Sequence, residues 1–186
     1  MIDLKLAAIA EILEGRILED QPGSSICIKG SMVGFPATLQ ATYHRWPFGL
    51  MYFLETCAGE ETGAPNPEHL LEMSIYPRYG RGLFSIFTRI VLFESKGMSV
   101  RDKKLESMYI FGYNDTTQAE RLVKYPGFRD NLERLHDVSR FSELQIRSNA
   151  GIYMHQPKSF AAVDLDVCRE SFKLLGEIGQ VIFECF

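Results

Sequence analysis

The sequence predicts an α+β protein, in which helices pack on a curved, mainly antiparallel sheet. Apolar and polar residues alternate with a period of two through several stretches before residue 114, as strands require. Helical spacing occurs mainly at the N-terminus, near residues 117–138 and at the C-terminus. The successive strands show few of the long crossovers that parallel pairing needs. We therefore expect one α+β domain over residues 1–186.

The first segment predicts an amphipathic helix that ends at Gly15. The apolar residues of its stripe are spaced four, three and four positions apart: Ile2, Leu6, Ile9 and Leu13.

Three strands are expected between residues 26 and 57. The first two, at residues 26–28 and 38–43, are joined through Gly30 and Gly34. The third, residues 50–57, is apolar enough to be covered on both faces. A proline- and glycine-rich loop follows at residues 59–67, and the next strand, residues 71–75, is closed by Pro77.

Residues 83–94 fit both a helical stripe and a strand, and we expect a short helical turn that continues as a strand at residues 89–94. Residues 107–113 predict a strand with Tyr109, Phe111 and Tyr113 on one face. Exposed rings of this kind stack on the bases of single-stranded RNA. The pI near 5.6 and the missing ribonucleoprotein signature disfavour nucleic acid, so we expect a helix to cover the rings.

A capping box at residues 117–120 predicts a helix that Pro126 and Gly127 interrupt and that continues to about residue 138. Residues 148–151 have the composition of a hairpin turn. Asp164 is positioned to cap the last helix. That helix carries two apolar stripes, which predicts either a central place in the core or a subunit interface.

Composition predicts a folded cytoplasmic protein. At 186 residues the chain buries roughly 70% of its unfolded surface and needs neither a disulfide nor a metal to fold. The four cysteines show no C-x-x-C pair, which favours a reducing compartment. Charged residues interrupt the first helix, and the longest apolar stretch, residues 83–93, is about half the length that crosses a bilayer. We therefore expect no signal peptide and no membrane span.

The charge is distributed unevenly. Residues 78–104 contain seven cations and two anions, a net charge of +5, whereas the whole chain carries −4. Such a segment predicts a patch for an acidic partner or an anionic membrane. Its candidate binding residues are Arg78, Arg81, Arg89, Lys103 and Lys104.

No catalytic motif accompanies this segment. Residues 30–34 lack the glycine-lysine-serine ending of a phosphate loop, and the histidines show no metal-ligand spacing. Cys57, at a strand end, is the candidate nucleophile if one exists, but a packing role suits it better. The histidines are spread along the chain: His44, His69, His136 and His155.

These observations predict a binding, accessory or scaffold module without chemistry, cofactor or metal. Its partner is expected to be a protein, with a second copy of the chain, bound through the C-terminal helix, as one form of it. Two alternatives stay open: a peripheral protein that binds an anionic membrane or acidic partner through residues 78–104, and an enzyme whose site uses Cys57 or a histidine. Nucleic acid is the partner least supported.

Overall fold

The computed structural model describes residues 2–20, 25–42, 49–55, 70–78 and 98–186. Some predictions concern residues outside these ranges: the loop of residues 59–67, the element of residues 83–94, and the side chains of Arg81, Arg89, His44, His69 and Cys57.

The described strands form one open antiparallel sheet with the order β1-β2-β3-β4-β8-β7-β5-β6. They are β1 Arg16–Asp20, β2 Ser25–Met32, β3 Phe35–Thr42, β4 Gly49–Leu54, β5 Glu72–Pro77, β6 Tyr109–Tyr113, β7 Glu143–Arg147 and β8 Gly151–Gln156. The α-helices of the described ranges are α1 Ile2–Ile12, α2 Lys103–Met108, α3 Thr116–Lys124, α4 Phe128–Ser139 and α5 Leu165–Cys185, and a short 3₁₀ helix spans Phe160–Ala162. The predicted α+β class and the antiparallel pairing are confirmed.

One row of cross-strand neighbours shows how the core is built, and we call its side of the sheet the inner face. The row crosses all eight strands: Ile17, Ile28, Leu39, Tyr52, Met154, Leu144, Ile75 and Phe111. Every member except Ile17 is at most 2% exposed, whereas Ile17, on the edge strand, is 39% exposed. Helix α1 contacts β1 and β2, and α5 contacts β2, β4 and β8.

Helix α5 lies between the sheet and α4. Phe172 packs its ring on Tyr52 of β4, with ring centroids 4.9 Å apart. On the α4 side, Arg134 forms ion pairs with Glu170 and Glu177. The sheet and α4 therefore bury both apolar stripes of α5. Of the two predicted alternatives, core element or subunit interface, a place in the core describes most of the helix. Phe183 and Phe186 at its end stay exposed.

The first hairpins depart from the prediction at three points. Strand β1 was not predicted, because its five residues hold one adjacent apolar pair between charges. Gly30 lies inside β2, and the turn consists of Val33 and Gly34, with φ of 53° and 81° as a two-residue hairpin turn requires. Strand β4 ends at Leu54 and is fully buried on one face only, since Met51 and Phe53 are half-buried.

The boundaries around β6 and α3 also differ. Residues 103–108 form α2, whose N-cap is Asp102, so the strand begins at Tyr109. The capping box at Thr117 is wrong: Asp115 caps α3 by accepting a hydrogen bond from the Gln118 amide at 2.9 Å. The aspartate lies two positions earlier, and Thr117 falls within the first turn.

Three local predictions are confirmed. Helices α3 and α4 are separate on either side of Pro126 and Gly127, and Gly127 has a φ of 86°. Strands β7 and β8 form the expected hairpin. Asp164 caps α5 through the amides of residues 166 and 167.

Candidate functional site

The side chains that alternate with the core residues form the second side of the sheet, which we call the outer face. One row of cross-strand neighbours runs across it: Arg16, Lys29, Thr38, Phe53, Tyr153, Gln145 and Ser74. Arg16 and Lys29 are exposed and the other members are half-buried. The outer face is therefore only partly exposed, and its side chains are a mixture of aromatic, polar and charged residues.

An aromatic stack occupies the middle of the outer face. Phe53 of β4 and Tyr153 of β8 are direct cross-strand neighbours, with ring centroids 4.3 Å apart and planes 24° apart. The guanidinium of Arg147 lies over the Tyr153 ring, 5.8 Å from its centroid. Gly151 makes the arrangement possible, because a Cβ there would lie 3.0 Å from the Phe53 ring and collide with the Leu54 carbonyl.

Two cations stand opposite each other at the edge of the same row. Arg16 on β1 and Lys29 on β2 are paired in register and are both exposed. No ion pair joins either residue to any side chain that the structure describes, a set that excludes Glu19 and Asp20 of β1. Directly opposed like charges on a sheet are unfavourable, so an anion placed between them would be stabilised by both.

A hydrogen-bonded polar group adjoins the stack. Glu143 accepts from the Tyr76 hydroxyl at 2.8 Å and from Gln145 Nε2 at 2.7 Å. Partial burial, with help from the Glu143 carboxylate, raises the pKa of Tyr76 to about 12. The tyrosine therefore stays a hydrogen-bond donor at neutral pH, and the carboxylate is held by two donors.

Ser142 and His155 form a contact that resembles a catalytic pair in distance alone. The Ser142 hydroxyl lies 2.7 Å from His155 Nδ1 and 3.3 Å from the carbonyl oxygen of the same histidine. The Ser142 amide also donates to that carbonyl at 2.9 Å. All three contacts join Ser142, the residue before β7, to His155 of β8. They therefore extend the pairing between these two strands.

The described members of the predicted basic patch differ in their partners. Arg78 donates from Nε to the Tyr109 carbonyl at 3.1 Å. Lys104 pairs with Glu133 at 2.8 Å, and the neighbouring Arg101 pairs with Glu120 at the same distance. Lys103 is exposed and has no ion pair among the described residues.

The neutralising anions belong to α3 and α4. A charge count over consecutive residues cannot include them, since they become neighbours of the basic segment only when the chain folds.

The described histidines and Cys27 are half-buried, whereas the thiols of Cys168 and Cys185 are buried. His136 Nδ1 lies 3.2 Å from the Tyr109 hydroxyl. Burial, and after it the positive charge of Arg140, lowers the pKa of His136, whereas the nearby Asp137 acts in the opposite direction. Burial raises the pKa of the Cys168 thiol to about 11, which removes the thiolate needed for nucleophilic attack. No group of three metal-ligating side chains occurs in the part of the chain that the structure describes.

A surface cleft of about 270 Å³ opens beside the turn between α3 and α4. Its charged lining is of mixed sign, with three cations and two anions: Arg101, Lys124, Arg129, Asp102 and Asp130. Arg129 and Asp102 pair with each other at 3.3 Å. The cleft thus lacks the single sign of charge that would select an ionic ligand.

No known protein family matches the chain, and no curated protein or solved structure is significantly similar to it. Within the described residues, no helix combines the length and apolar character needed to cross a membrane.

Sequence reasoning missed the outer face. The sequence predicts that Phe53 lies in a strand covered on both faces and that Tyr153 follows a hairpin turn, but it does not indicate that these two strands are paired. Their contact depends on pairing between β4 and β8, which are about a hundred residues apart in the chain. The alternation in each strand was the available signal, but it does not specify which strands are adjacent.

Proposed function

We propose that this protein is a binding or scaffold module that recognises a partner protein through the outer face of its sheet, without catalysing a reaction. The observation that carries the proposal is the Phe53–Tyr153 stack covered by Arg147. Tyrosine, phenylalanine and arginine are enriched where proteins bind each other, because they offer a large contact area with polar ends.

The chemistry of three buried titratable groups, Tyr52, Tyr109 and Cys168, supports a binding role for these side chains over catalysis. Acid–base catalysts work best with a pKa near the operating pH. Burial instead raises the pKa values of Tyr52 and Tyr109 well above their usual range and keeps the Cys168 thiol protonated. These groups act as neutral packing and hydrogen-bonding elements.

Affinity capture with matched surface variants tests the proposal. The outer-face variant Phe53→Ser/Tyr153→Ser removes the stack, and Phe183→Ser/Phe186→Ser removes two exposed rings at the end of α5 as a control. Partners captured from a cell extract are identified by mass spectrometry and then titrated as purified proteins. We expect the outer-face variant to lose the partner and the control to retain it.

The opposite pattern would place recognition on α5 and reject the outer face. Because Phe53 is half-buried, circular dichroism must show that the variant is folded. If the variant is not folded, Arg147→Ala is the milder substitution. It is expected to weaken binding of the partner about tenfold, which corresponds to roughly 1.4 kcal/mol.

A second proposal keeps the basic segment as the contact for an acidic partner or membrane, using Arg78, Arg81, Arg89, Lys103 and Lys104. Exposed Lys103, without an ion pair in the described ranges, supports it. Lys103→Gln is expected to reduce co-sedimentation with vesicles containing phosphatidylserine, more at low than at high salt. Lys124→Gln, which replaces a cation paired with Glu120, serves as control.

A further inference from the structure

Strand β1 is an edge of the sheet. It pairs with β2 through all five of its residues, and it has no second neighbour among the described strands. The strand contains no proline, and its pairing contains no bulge. Arg16 is exposed and Ile17 is 39% exposed, so the edge is accessible to a further strand.

The charges of β1 are of opposite sign at its two ends. The strand reads Arg-Ile-Leu-Glu-Asp, with its one cation first and its two acidic residues last. Charged residues on an edge usually oppose pairing with another chain. A second copy of this strand, running antiparallel, would instead bring the cationic end of each strand to the acidic end of the other. The sequence of β1 is therefore complementary to itself, and not to a strand of one charge.

Within one chain, the unlike charges of β1 are not cross-strand neighbours. Positions 16 and 20 share the outer face, but four residues of extended chain separate them by about 13 Å. On β2, the neighbour of Arg16 is the like charge of Lys29. In a second copy aligned about Leu18, Asp20 of that copy would stand directly opposite Arg16, and the two-fold symmetry would repeat the pair. Each Arg16 would then have an opposite charge beside it that offsets the repulsion from Lys29.

Charge also selects one alignment of the two strands. Only even shifts keep outer positions opposite outer positions, because a shift of one residue turns every side chain to the other face. Moving one strand by two residues in one direction places Glu19 opposite Glu19 of the second copy. Moving it in the other direction pairs residues 16–18 alone and leaves Asp20 without a partner. The alignment about Leu18 pairs all five residues, with Ile17 opposite position 19, which charge neither favours nor opposes.

We propose that β1 pairs antiparallel with β1 of a second copy of the chain, about a two-fold axis at Leu18, with Arg16 opposite Asp20 twice. The eight described strands of each copy then form one continuous sheet, and both outer faces lie on the same side of it. The inference does not depend on the proposed function, since it concerns the edge of the sheet and not the Phe53–Tyr153 stack. Because five residues make a short interface, the dimer is expected to be weak and to dissociate on dilution.

Sedimentation velocity over a dilution series measures the dimer. We expect a monomer–dimer equilibrium for the parent. The dissociation constant should be at least tenfold larger for Arg16→Asp and for Asp20→Arg, because each variant opposes like charges twice. Lys158→Asp makes the same change of charge as Arg16→Asp outside the sheet, and its dimer should match that of the parent. Circular dichroism checks that each variant is folded.

Mixing the two charge variants tests the alignment itself. Arg16→Asp has an aspartate at both paired positions, and Asp20→Arg has an arginine at both, so each variant repels itself and complements the other. We expect an equimolar mixture to form a heterodimer with an affinity close to that of the parent. The double variant Arg16→Asp/Asp20→Arg should dimerise alone. A mixture that stays monomeric would overturn the inference.

Hydrogen exchange of the unmodified chain gives a test that needs no variant. The amides of β1 that point away from β2 should exchange more slowly at high than at low protein concentration, because strand pairing protects them. The amides of β6, at the other end of the sheet, should show no such dependence. If a charge variant does not fold, this measurement decides.

Other results would reject the pairing of β1. These are a parent that stays monomeric at every concentration, a dimer that neither charge reversal weakens, and exchange in β1 that does not depend on concentration. A dimer that Phe183→Ser dissociates and Arg16→Asp does not would place the contact on α5. Loss of the captured partner from Phe53→Ser/Tyr153→Ser is measured separately, so the failure of one proposal is distinguished from the failure of the other.

Discussion

Gly15 and Gly30 lie backbone to backbone where α1 leads into β1. A Cβ on Gly30 would lie 2.8 Å from the Cα of Gly15, and it would collide with the Leu13 carbonyl. The Ser31 amide donates to that same carbonyl at 2.6 Å. The end of α1 is thereby held against β2, next to the strand proposed to pair with a second copy.

Gly30→Ala should destabilise the protein by about 1–3 kcal/mol, because the added methyl group meets backbone atoms that have no freedom to rotate away. Urea denaturation measures the free energy of unfolding. Gly112→Ala is the matched control: it also lies in a strand, but a Cβ there has no atom within 4 Å. The control is expected to be neutral or up to about 1 kcal/mol more stable. Equal stability of the two variants would contradict the close approach.

Asp115→Ala should lower the free energy of unfolding by about 0.5–2 kcal/mol, because the carboxylate that accepts the Gln118 amide is lost. Thr117→Ala should change it by less than about 0.5 kcal/mol, since Thr117 is an exposed residue within the first turn of α3. The two variants differ in the same segment and are compared by thermal unfolding. A larger loss of stability in Thr117→Ala than in Asp115→Ala would show that Thr117 caps the helix, as the sequence suggests.

The comparison of Asp115 with Thr117 illustrates what sequence can predict here. The existence and type of the helices and strands were readable where periodicity was sustained, as in α1, β5 and α5. Their boundaries were not, because a cap depends on which of two nearby oxygens reaches a free amide. Strand β1 was not predicted because its two apolar residues are too few to show a period. They indicate a strand only once Ile17 is known to pair with Ile28.

The candidate site was less predictable than the fold for a physical reason. The charge of residues 78–104 is a property of the linear chain, whereas Glu120 and Glu133 neutralise part of it in space. The stack of Phe53 and Tyr153 requires the β4–β8 pairing. The predicted cover of the aromatic face of β6 was confirmed for Tyr109 and Phe111, which are 1% and 2% exposed, because two alternating rings beside helical segments are a local signal.

Tyr52→Phe should lower the free energy of unfolding by about 1–3 kcal/mol at neutral pH. The Tyr52 hydroxyl donates to Gln156 Oε1 at 3.0 Å in the core, and its removal leaves that oxygen without its donor. Tyr76→Phe is the control and should cost less, since its hydroxyl is only part-buried and Glu143 keeps Gln145 as a donor. Equal losses, measured in urea, would show that burial of the bond is unimportant.

Tyr52 should also make the fold less stable in alkali. Burial, reinforced by Cys168, raises the Tyr52 pKa far above 10, so the folded state keeps the proton after the unfolded state has lost it. The stabilisation is complete below pH 10 and falls above it, by at most about 1.4 kcal/mol per pH unit. Urea midpoints between pH 8 and 11 should decline more gently for Tyr52→Phe than for the parent. Parallel declines would assign the alkaline sensitivity to other groups.

The end of α5 separates a core role from an interface role residue by residue. Ile182 is 2% exposed, whereas its neighbour Phe183 is 63% exposed. Ile182→Ala should lower the free energy of unfolding by about 2–5 kcal/mol, because it leaves a cavity in the core. Phe183→Ser should change stability by less than about 0.5 kcal/mol if no second copy contacts the ring, since it removes no buried contact. Light scattering measures the mass of the particle, and urea denaturation at two protein concentrations shows whether stability depends on association. If Phe183→Ser lowers the mass and also lowers a concentration-dependent stability, the exposed ring joins two copies of the chain. The prediction that Phe183 makes no contact needed for stability would then be wrong.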